Sequence, residues 1–528
     1  MINEVIKVGI YLNPSNDLFK EALRSKIYVD KSGLISYVNS VIQTTQKYLC
    51  VSRPRRFGKT IAANMLAAYY SRGCDSKELF DGLNISKDNT FEAHLNRYNV
   101  LFLNIQFFLS GKGGIKGAIS RIQTNVLKEI LKEYPDIDYY NKKDLAGSLE
   151  NVYDACKIPF ILIIDEWDCV FREYKENLKA QKTYLDFLKH LLKDRVYIGL
   201  TYMTGILPIK KYGSHSALNM FDEFTMPNPG QLAEYVGFTQ DEVQSLCERY
   251  HMDYDEMARW YNGYKSLGIP AVYNPRAVVA SLLSGVFDNY WNKTESYEAL
   301  KIYIDMNLDG LYDIIVQLLA GGKKEIDTGS FQNDMVTFKT CDDVLTLLIH
   351  LGYLGFDFYT KEAFIPNKEI TDEFVISVKS AHWGAVVRAI NSSEELLEAT
   401  WRRDEEAVAF NVETVHNETS ILTYNNETAL SYTVQLAYYS AREYYTLVRE
   451  MPAGKGFADI VFIPRKNHTD KPAMVIELKW EQSAASAIEQ IRNKNYPEVL
   501  KNYQDNVLLV GIAYDSASKK HSCLIETA

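Results

Sequence analysis

Arg53-Pro54-Arg55-Arg56-Phe57-Gly58-Lys59-Thr60 separates an apolar run, Tyr48–Ser52, from a helical pattern that begins at Lys59 and extends to about residue 70. A strand, a basic turn holding a glycine and a helix start form the context that a phosphate-binding loop needs. The first backbone N–H groups of a helix lack internal partners and attract anions. In this reading the backbone of Arg55, Arg56, Phe57 and Gly58 cradles phosphate. Lys59 reaches the β- and γ-phosphates of a nucleotide, expected to be ATP, and the Thr60 hydroxyl binds Mg2+. The usual pattern G-x-x-x-x-G-K-[ST] has glycine where this chain has Arg53. Taken alone, the eight residues also fit a basic loop that happens to contain Gly-Lys-Thr.

A second segment shifts that balance. Residues 160–164 form an apolar run ending in Asp165-Glu166, 106 positions after Lys59 (165 − 59). A buried strand in the middle of a sheet would deliver these carboxylates at its C-terminal end, beside the phosphate loop. Asp165 is then expected to hold Mg2+ and Glu166 to orient or deprotonate the attacking water. Residues 100–108 and 196–200 are further strand candidates; strands alternating with helical stretches imply a parallel sheet covered on both faces. Thr201 and Thr204 follow the last of these. Each reads first as a turn residue, although either could offer a hydroxyl to the γ-phosphate.

From about residue 230 to 330 the pattern is mostly helical (242–250, 276–283, 297–304). Residues 342–351 read as a helix followed by a hairpin over 353–366, which is the outline of a winged-helix unit. The last 130 or so residues again mix helix and strand signals, with strands expected at 445–450, 457–463, 473–478 and 507–513.

The chemistry at this end lies in Asp459, set in an apolar run, and in Glu477 and Lys479, with Glu477 18 positions later (477 − 459). Residues two apart on a strand leave the same face, so Glu477 and Lys479 are neighbours. An acid and a lysine on an apolar strand are costly unless they pair or act. Phosphodiester hydrolysis fits them: Asp459 and Glu477 offer hard oxygens to a divalent cation (Mg2+, or Mn2+ in its place), and Lys479 positions water or steadies phosphate charge. A helix expected over 487–496 carries Gln490, Lys494 and Tyr496, while Glu427 and Glu450 are candidate extra carboxylates. The plain alternative is a structural Glu477–Lys479 or Asp459–Lys479 ion pair.

Composition sets bounds on these readings. The chain has 528 residues, 47% of them hydrophobic and 24% charged, a balance suited to several packed units. No apolar run approaches the ~20 residues of a membrane span, and the N-terminus carries no secretory pattern, so no membrane association and a cytoplasmic location are expected. The seven cysteines are scattered and form no ligand cluster. A net charge of −10 argues against a protein that coats nucleic acid, though not against one with a local basic groove. The 37 tyrosines, including the pairs Tyr438-Tyr439 and Tyr444-Tyr445, read more readily as core than as base-stacking surface.

The chain resembles the bacterial and archaeal AAA-ATPase-like proteins whose C-terminal part is a PD-(D/E)XK nuclease-superfamily domain. The stretches that carry the resemblance include Tyr28-Val29-Asp30-Lys31-Ser32, the loop from Arg53 to Thr60, Ile163-Ile164-Asp165-Glu166-Trp167-Asp168, Thr204-Gly205-Ile206, Leu218-Asn219, Trp260-Tyr261-Asn262-Gly263-Tyr264, Tyr273-Asn274-Pro275, Ile365-Pro366-Asn367-Lys368-Glu369, the residues from Gly456 to Asp459, and those from Ile476 to Lys479. Arginine in place of the first loop glycine is a habit of that family; Trp167 stands where tyrosine is usual. The resemblance implies an α/β architecture: a P-loop ATPase with a parallel sheet over 1–230, a helical lid over 231–335, a winged-helix connector over 336–380 and a restriction-endonuclease-like domain over 381–528. It supports Lys59, Thr60, Asp165 and Glu166 for ATP and Mg2+, and Asp459, Glu477 and Lys479 for the nuclease. It assigns no role to Asp30, Asn219 or Asn262, which read as caps and turn formers.

Two function classes follow, beside a plain ATPase whose C-terminal acids only form structural ion pairs. One is a nucleotide-controlled, metal-dependent nuclease acting on nucleic acid, with DNA the expected substrate and defence or mobile-element handling the setting. The other is a nucleotide-switched scaffold whose C-terminal domain binds nucleic acid or a protein without cutting. A homo-oligomer is admissible in either, since geometry must decide whether Arg55 or Arg56 serves its own nucleotide or a neighbour's.

Overall fold

A computed structural model of the chain describes residues 8–209, 218–266, 269–291, 298–380, 383–418, 427–453, 456–493, 500, 503 and 506–528. The chain divides into two compact units. One joins Met1–Glu295 with Glu325–Ile370, and the other joins Ser296–Lys324 with Thr371–Ala528.

The first unit is built on five strands: β1 (Tyr48–Ser52), β2 (Asn99–Asn104), β3 (Phe160–Asp165), β4 (Ile198–Gly205) and β5 (Asp222–Phe224). Their order is β2-β3-β4-β1-β5, and every pairing is parallel. Such a sheet is wrapped on both faces, so its central strands must be apolar throughout. All residues of β1, β3 and β4 are buried. One face, through Leu49, Val51, Ile161, Ile163, Leu200 and Tyr202, packs on Ala62, Ala63, Met65 and Leu66 of the helix Lys59–Tyr70. β1 and β3 flank β4, which places the ends of all three, and therefore the loop after β1 and Asp165 on β3, along one edge.

Two sequence expectations need correction here. The strand expected over 100–108 stops at Asn104, because the Asn104 carboxamide accepts from Phe107 N at 3.2 Å and caps a short helix, Ile105–Leu109. The strand expected over 196–200 is Ile198–Gly205, so Thr201 and Thr204 are sheet residues rather than turn residues.

The region after the sheet contains the expected helices Gln240–Tyr250, with a Thr239/Glu242 capping box, and Pro275–Ser284, capped by Asn274. It is less purely helical than its sequence pattern suggests, since Phe238–Thr239, Tyr264–Ser266 and Ile269–Tyr273 form a small antiparallel sheet. The helix Cys341–Leu351 precedes an antiparallel hairpin of Gly355–Asp357 and Glu362–Phe364, as the sequence pattern predicts.

The second unit holds a five-stranded mixed sheet in strand order Tyr445–Ala453, Gly456–Pro464, Ala473–Trp480, Val507–Asp515 and Lys520–Thr527. Its one parallel pair joins Ala473–Trp480 to Val507–Asp515, and the helix Ala484–Asn493 packs against both. Gly511 makes that approach: a Cβ there would stand 2.4 Å from the Ala484 carbonyl oxygen. Tyr438 and Tyr445 lie in the core, each 1% exposed.

His416 and His521 sit edge to face, ring centroids 5.0 Å apart, and both rings meet Tyr514. Burial pushes His416 down to about 4 and His521 down to about 3, and the Glu413 carboxylate only partly offsets this for His416. Both rings are thus held neutral in the fold, whereas in the unfolded chain they protonate near pH 6.5. The unfolded state therefore binds more protons below about pH 6.5, and stability falls as pH drops from there toward 4. The thermal midpoint is expected to decline between pH 7 and 5, and to decline less steeply in His521→Asn; parallel pH profiles for the two proteins would contradict this.

Candidate functional site

The loop after β1 turns tightly. Arg56 and Gly58 adopt positive φ (68° and 90°), and no atom lies within 4 Å of where a Gly58 Cβ would sit. The turn leaves an open cradle at the start of the helix Lys59–Tyr70. Lys59 is 4% exposed and donates to the carbonyl oxygens of Arg53 (2.9 Å) and Pro54 (2.8 Å). Burial lowers its pKa, an effect opposed by the carboxylates of Glu166, Asp168 and Asp165.

Thr60 Oγ1 donates to Asp165 Oδ2 at 2.9 Å, and Asn104 Nδ2 reaches the same oxygen at 3.3 Å. The other Asp165 oxygen accepts from Thr204 Oγ1. Thr60, Asp165 and Thr204, widely separated in sequence, are therefore one hydrogen-bonded group at the strand ends. Thr201 is buried and takes no part in it. Glu166 has a positive φ of 54°, an uncommon conformation for glutamate, and its carboxylate accepts from Arg172 Nη2. Burial raises the Glu166 pKa, while the positive charges of Arg172 and Lys59 oppose the shift. Arg55, Thr60, Asn104, Gln106, Glu166, Arg172 and Glu173 line an open cleft of about 470 Å³.

Two loop residues depart from the simple reading. The Phe57 ring is 1% exposed and packs edge to face on Tyr264, so only its backbone faces the loop interior. Arg53, in the place usual for glycine, is 2% exposed and donates from Nη1 to the carbonyl oxygens of Ser52 (3.0 Å), Phe224 (3.0 Å) and Thr225 (2.8 Å). It ties the loop to β5 rather than opening it. Arg53→Gly, which restores the usual loop glycine, is expected to lower stability by about 2–4 kcal/mol from lost charge-assisted bonds; a urea midpoint unchanged from wild type would contradict this role.

At the C-terminal end, Ile460 pairs with Ile476 across two strands, so Asp459 and Glu477 are the next residue on each. Asp459 Oδ2 accepts from Leu478 N at 2.8 Å. Glu477 is 1% exposed, and its Oε1 accepts from Lys479 Nζ (3.4 Å) and from Gln490 Nε2. Glu477, Lys479 and Gln490 thus form one hydrogen-bonded group within an apolar sheet and its covering helix, and Asp459 is bonded to the backbone between Glu477 and Lys479. Lys494 and Tyr496 lie outside the described residues, as do the side chains of Glu427 and Glu450.

Sequence reasoning missed Asn104 and Arg172. Asn104 had a readable signal, a polar residue closing an apolar strand; Arg172, seven positions after Asp165, had none. Asp30 accepts from Ser32 N (2.8 Å) and Asn84 N (2.7 Å), and Asn262 accepts from Gly263 N (2.6 Å), so both are turn formers. Asn219 accepts from Lys193 Nζ at 3.3 Å.

Among the described residues no helix is long and apolar enough to cross a membrane. A protein of Azotobacter chroococcum mcd 1, known as an uncharacterized protein in the vnfD 5' region, is 24% identical over 274 residues; the match covers 51% of this chain and 50% of that protein. The chain therefore spans about half the length of this relative. The ORC2 protein of Aeropyrum pernix superposes with a TM-score of 0.29 at 10% identity over 68% of this chain and 97% of that one. Cdc6p of Pyrobaculum aerophilum gives 0.26 at 11% identity over 68% and 98%. Residues 18–214 match the family of predicted AAA-ATPases and residues 427–522 match the PD-(D/E)XK nuclease superfamily. These segments coincide with the parallel sheet and its phosphate loop, and with the mixed sheet carrying Asp459, Glu477 and Lys479. The chain thus joins an AAA-ATPase-like domain to a domain of the PD-(D/E)XK nuclease superfamily.

Proposed function

We propose that this chain is a nuclease controlled by ATP, cutting nucleic acid at Asp459, Glu477 and Lys479 under the direction of the nucleotide site at Lys59, Thr60 and Asp165. The observation that carries the reading is the buried Glu477–Lys479–Gln490 group beside Asp459, in one chain with the Thr60–Asp165 pair at an open phosphate loop. In the first site Lys59, with the backbone of Arg55, Arg56, Phe57 and Gly58, binds the phosphates. Thr60 and Asp165 are the oxygen donors for Mg2+, and Glu166 orients the attacking water and accepts its proton. In the second, Asp459 and Glu477 hold Mg2+ or Mn2+, and Lys479 orients water toward the scissile phosphate. Both donor sets are hard oxygens, Thr60 and Asp165 where a helix start meets a strand end and Asp459 and Glu477 within two paired strands, and such oxygens suit these ions. A bound divalent cation supplies Lewis acidity and neutralises phosphate charge.

The finer division into lid (231–335) and connector (336–380), a cytoplasmic location, a homo-oligomer and a role in defence or mobile-element handling belong to the same proposal. DNA is the proposed partner. Incubating the full chain with linear, circular and single-stranded DNA, and with RNA, in Mg2+ or Mn2+ tests it. Metal-dependent cutting of a DNA substrate is expected. Binding without cutting on every substrate would favour the nucleotide-switched scaffold, a reading supported by the internal hydrogen bonds that both Asp459 and Glu477 already accept.

A further inference from the structure

Arg172 is not part of the reading above, yet its place in the cleft is specific. It lies on the short helix Cys169–Glu173 that follows β3, and its side chain is 12% exposed. Nε donates to Asp168 Oδ2 at 3.1 Å, while Nη2 donates to the Glu166 carboxylate. The Asp168 end is fixed: its side chain is fully buried and the same oxygen also accepts from Leu207 N at 3.0 Å. The Glu166 end is the loose one, 24% exposed and opening on the cleft that Thr60, Asn104 and Arg55 also line. Glu166 makes this bond from a positive-φ backbone conformation that is uncommon for a glutamate.

A carboxylate engaged by a guanidinium is committed to that partner and poorly placed to take a proton from water. A terminal phosphate entering the same cleft offers the guanidinium a more highly charged, planar-fork-compatible partner. Building on the proposal that this cleft binds ATP, we propose that Arg172 is a γ-phosphate-operated latch. Without nucleotide it holds Glu166; with ATP, but not ADP, its outer nitrogens transfer to the γ-phosphate while Nε stays on Asp168, and Glu166 is released to the water. Arg172 is thus both the sensor that distinguishes ATP from ADP and the positioning residue for Glu166.

Three variants of the full chain test this by calorimetric titration with ADP and a non-hydrolysable ATP analogue. In Arg172→Ala the analogue is expected to bind about tenfold more weakly, the loss of one charge-assisted phosphate contact, with ADP affinity unchanged. Arg172→Lys, which lacks the fork, should restore part of the analogue affinity but not the ATPase turnover. In Glu166→Gln the competitor for Arg172 is weakened, so the analogue should bind several-fold more tightly than to wild type and ADP equally well. A purely structural Arg172 would lower both affinities together, or shift the melting temperature with their ratio intact, and Glu166→Gln would leave the ratio unmoved; either result overturns the latch. If wild type binds neither nucleotide, the ATP-site reading itself is the one that fails. If Arg172→Ala does not fold, the Glu166→Gln ratio decides alone.

Discussion

Lys59→Ala is expected to weaken ATP binding at least about a hundredfold, because two or more charge-assisted phosphate contacts, each about 1.5–3 kcal/mol, vanish together. Lys59 is already gathered into the loop by the Arg53 and Pro54 carbonyls, so its amine points into the cradle before any ligand arrives. Its pKa is lowered by burial, and a triphosphate would return the favourable charge that the surroundings only partly supply. The substitution removes two hydrogen bonds to loop carbonyls, and the fold should survive it. Calorimetric titration beside a thermal melt checks both statements. A well-folded Lys59→Ala that binds ATP like wild type would place the nucleotide elsewhere.

The second large effect is at Glu477. Glu477→Gln keeps the shape of the side chain but removes the charge that a cation would need, and cleavage is expected to fall by about a thousandfold or more, some 4 kcal/mol of transition-state stabilisation. The same change leaves the Lys479 ammonium buried without its carboxylate, which costs on the order of 3–5 kcal/mol of stability. Lost cleavage could then reflect a lost fold. The double variant Glu477→Gln/Lys479→Met separates the two, because removing both charges relieves the buried imbalance. It should melt higher than Glu477→Gln and still fail to cut. A double variant that cuts as wild type does would reduce Asp459, Glu477 and Lys479 to structural ion-pairing groups.

Much of this arrangement is legible in the chain itself, for a physical reason. Parallel strands buried on both faces must be apolar, so Tyr48–Ser52 and residues 160–164 announce themselves, and the polar residues that close them, Arg53 onward and Asp165, fall at the sheet edge. Thr204 joins Asp165 because β4 runs farther than its most apolar segment suggests, an extension driven by its neighbours β1 and β3 rather than by its own residues. Arg53 reads as a defect in a glycine-rich motif until its three carbonyl partners are seen, two of which lie on or beside β5 more than 170 positions away. Arg172 is equally silent, since its meaning rests on a pair of carboxylates and a cleft that only folding assembles. The grouping of residues 296–324 with 371–528 depends on long-range packing and leaves no local trace.

The central claim is that the nucleotide site governs the nuclease site. The most direct measurement is the rate of metal-dependent DNA cleavage by wild type and by Lys59→Ala, each without nucleotide, with ATP and with a non-hydrolysable ATP analogue. The account predicts that wild-type cleavage changes severalfold or more with nucleotide, that Lys59→Ala shows no such response, and that both proteins carry an intact Glu477 site. Cleavage at one rate in every condition, identical in wild type and Lys59→Ala, would contradict it and leave two activities that merely share a chain.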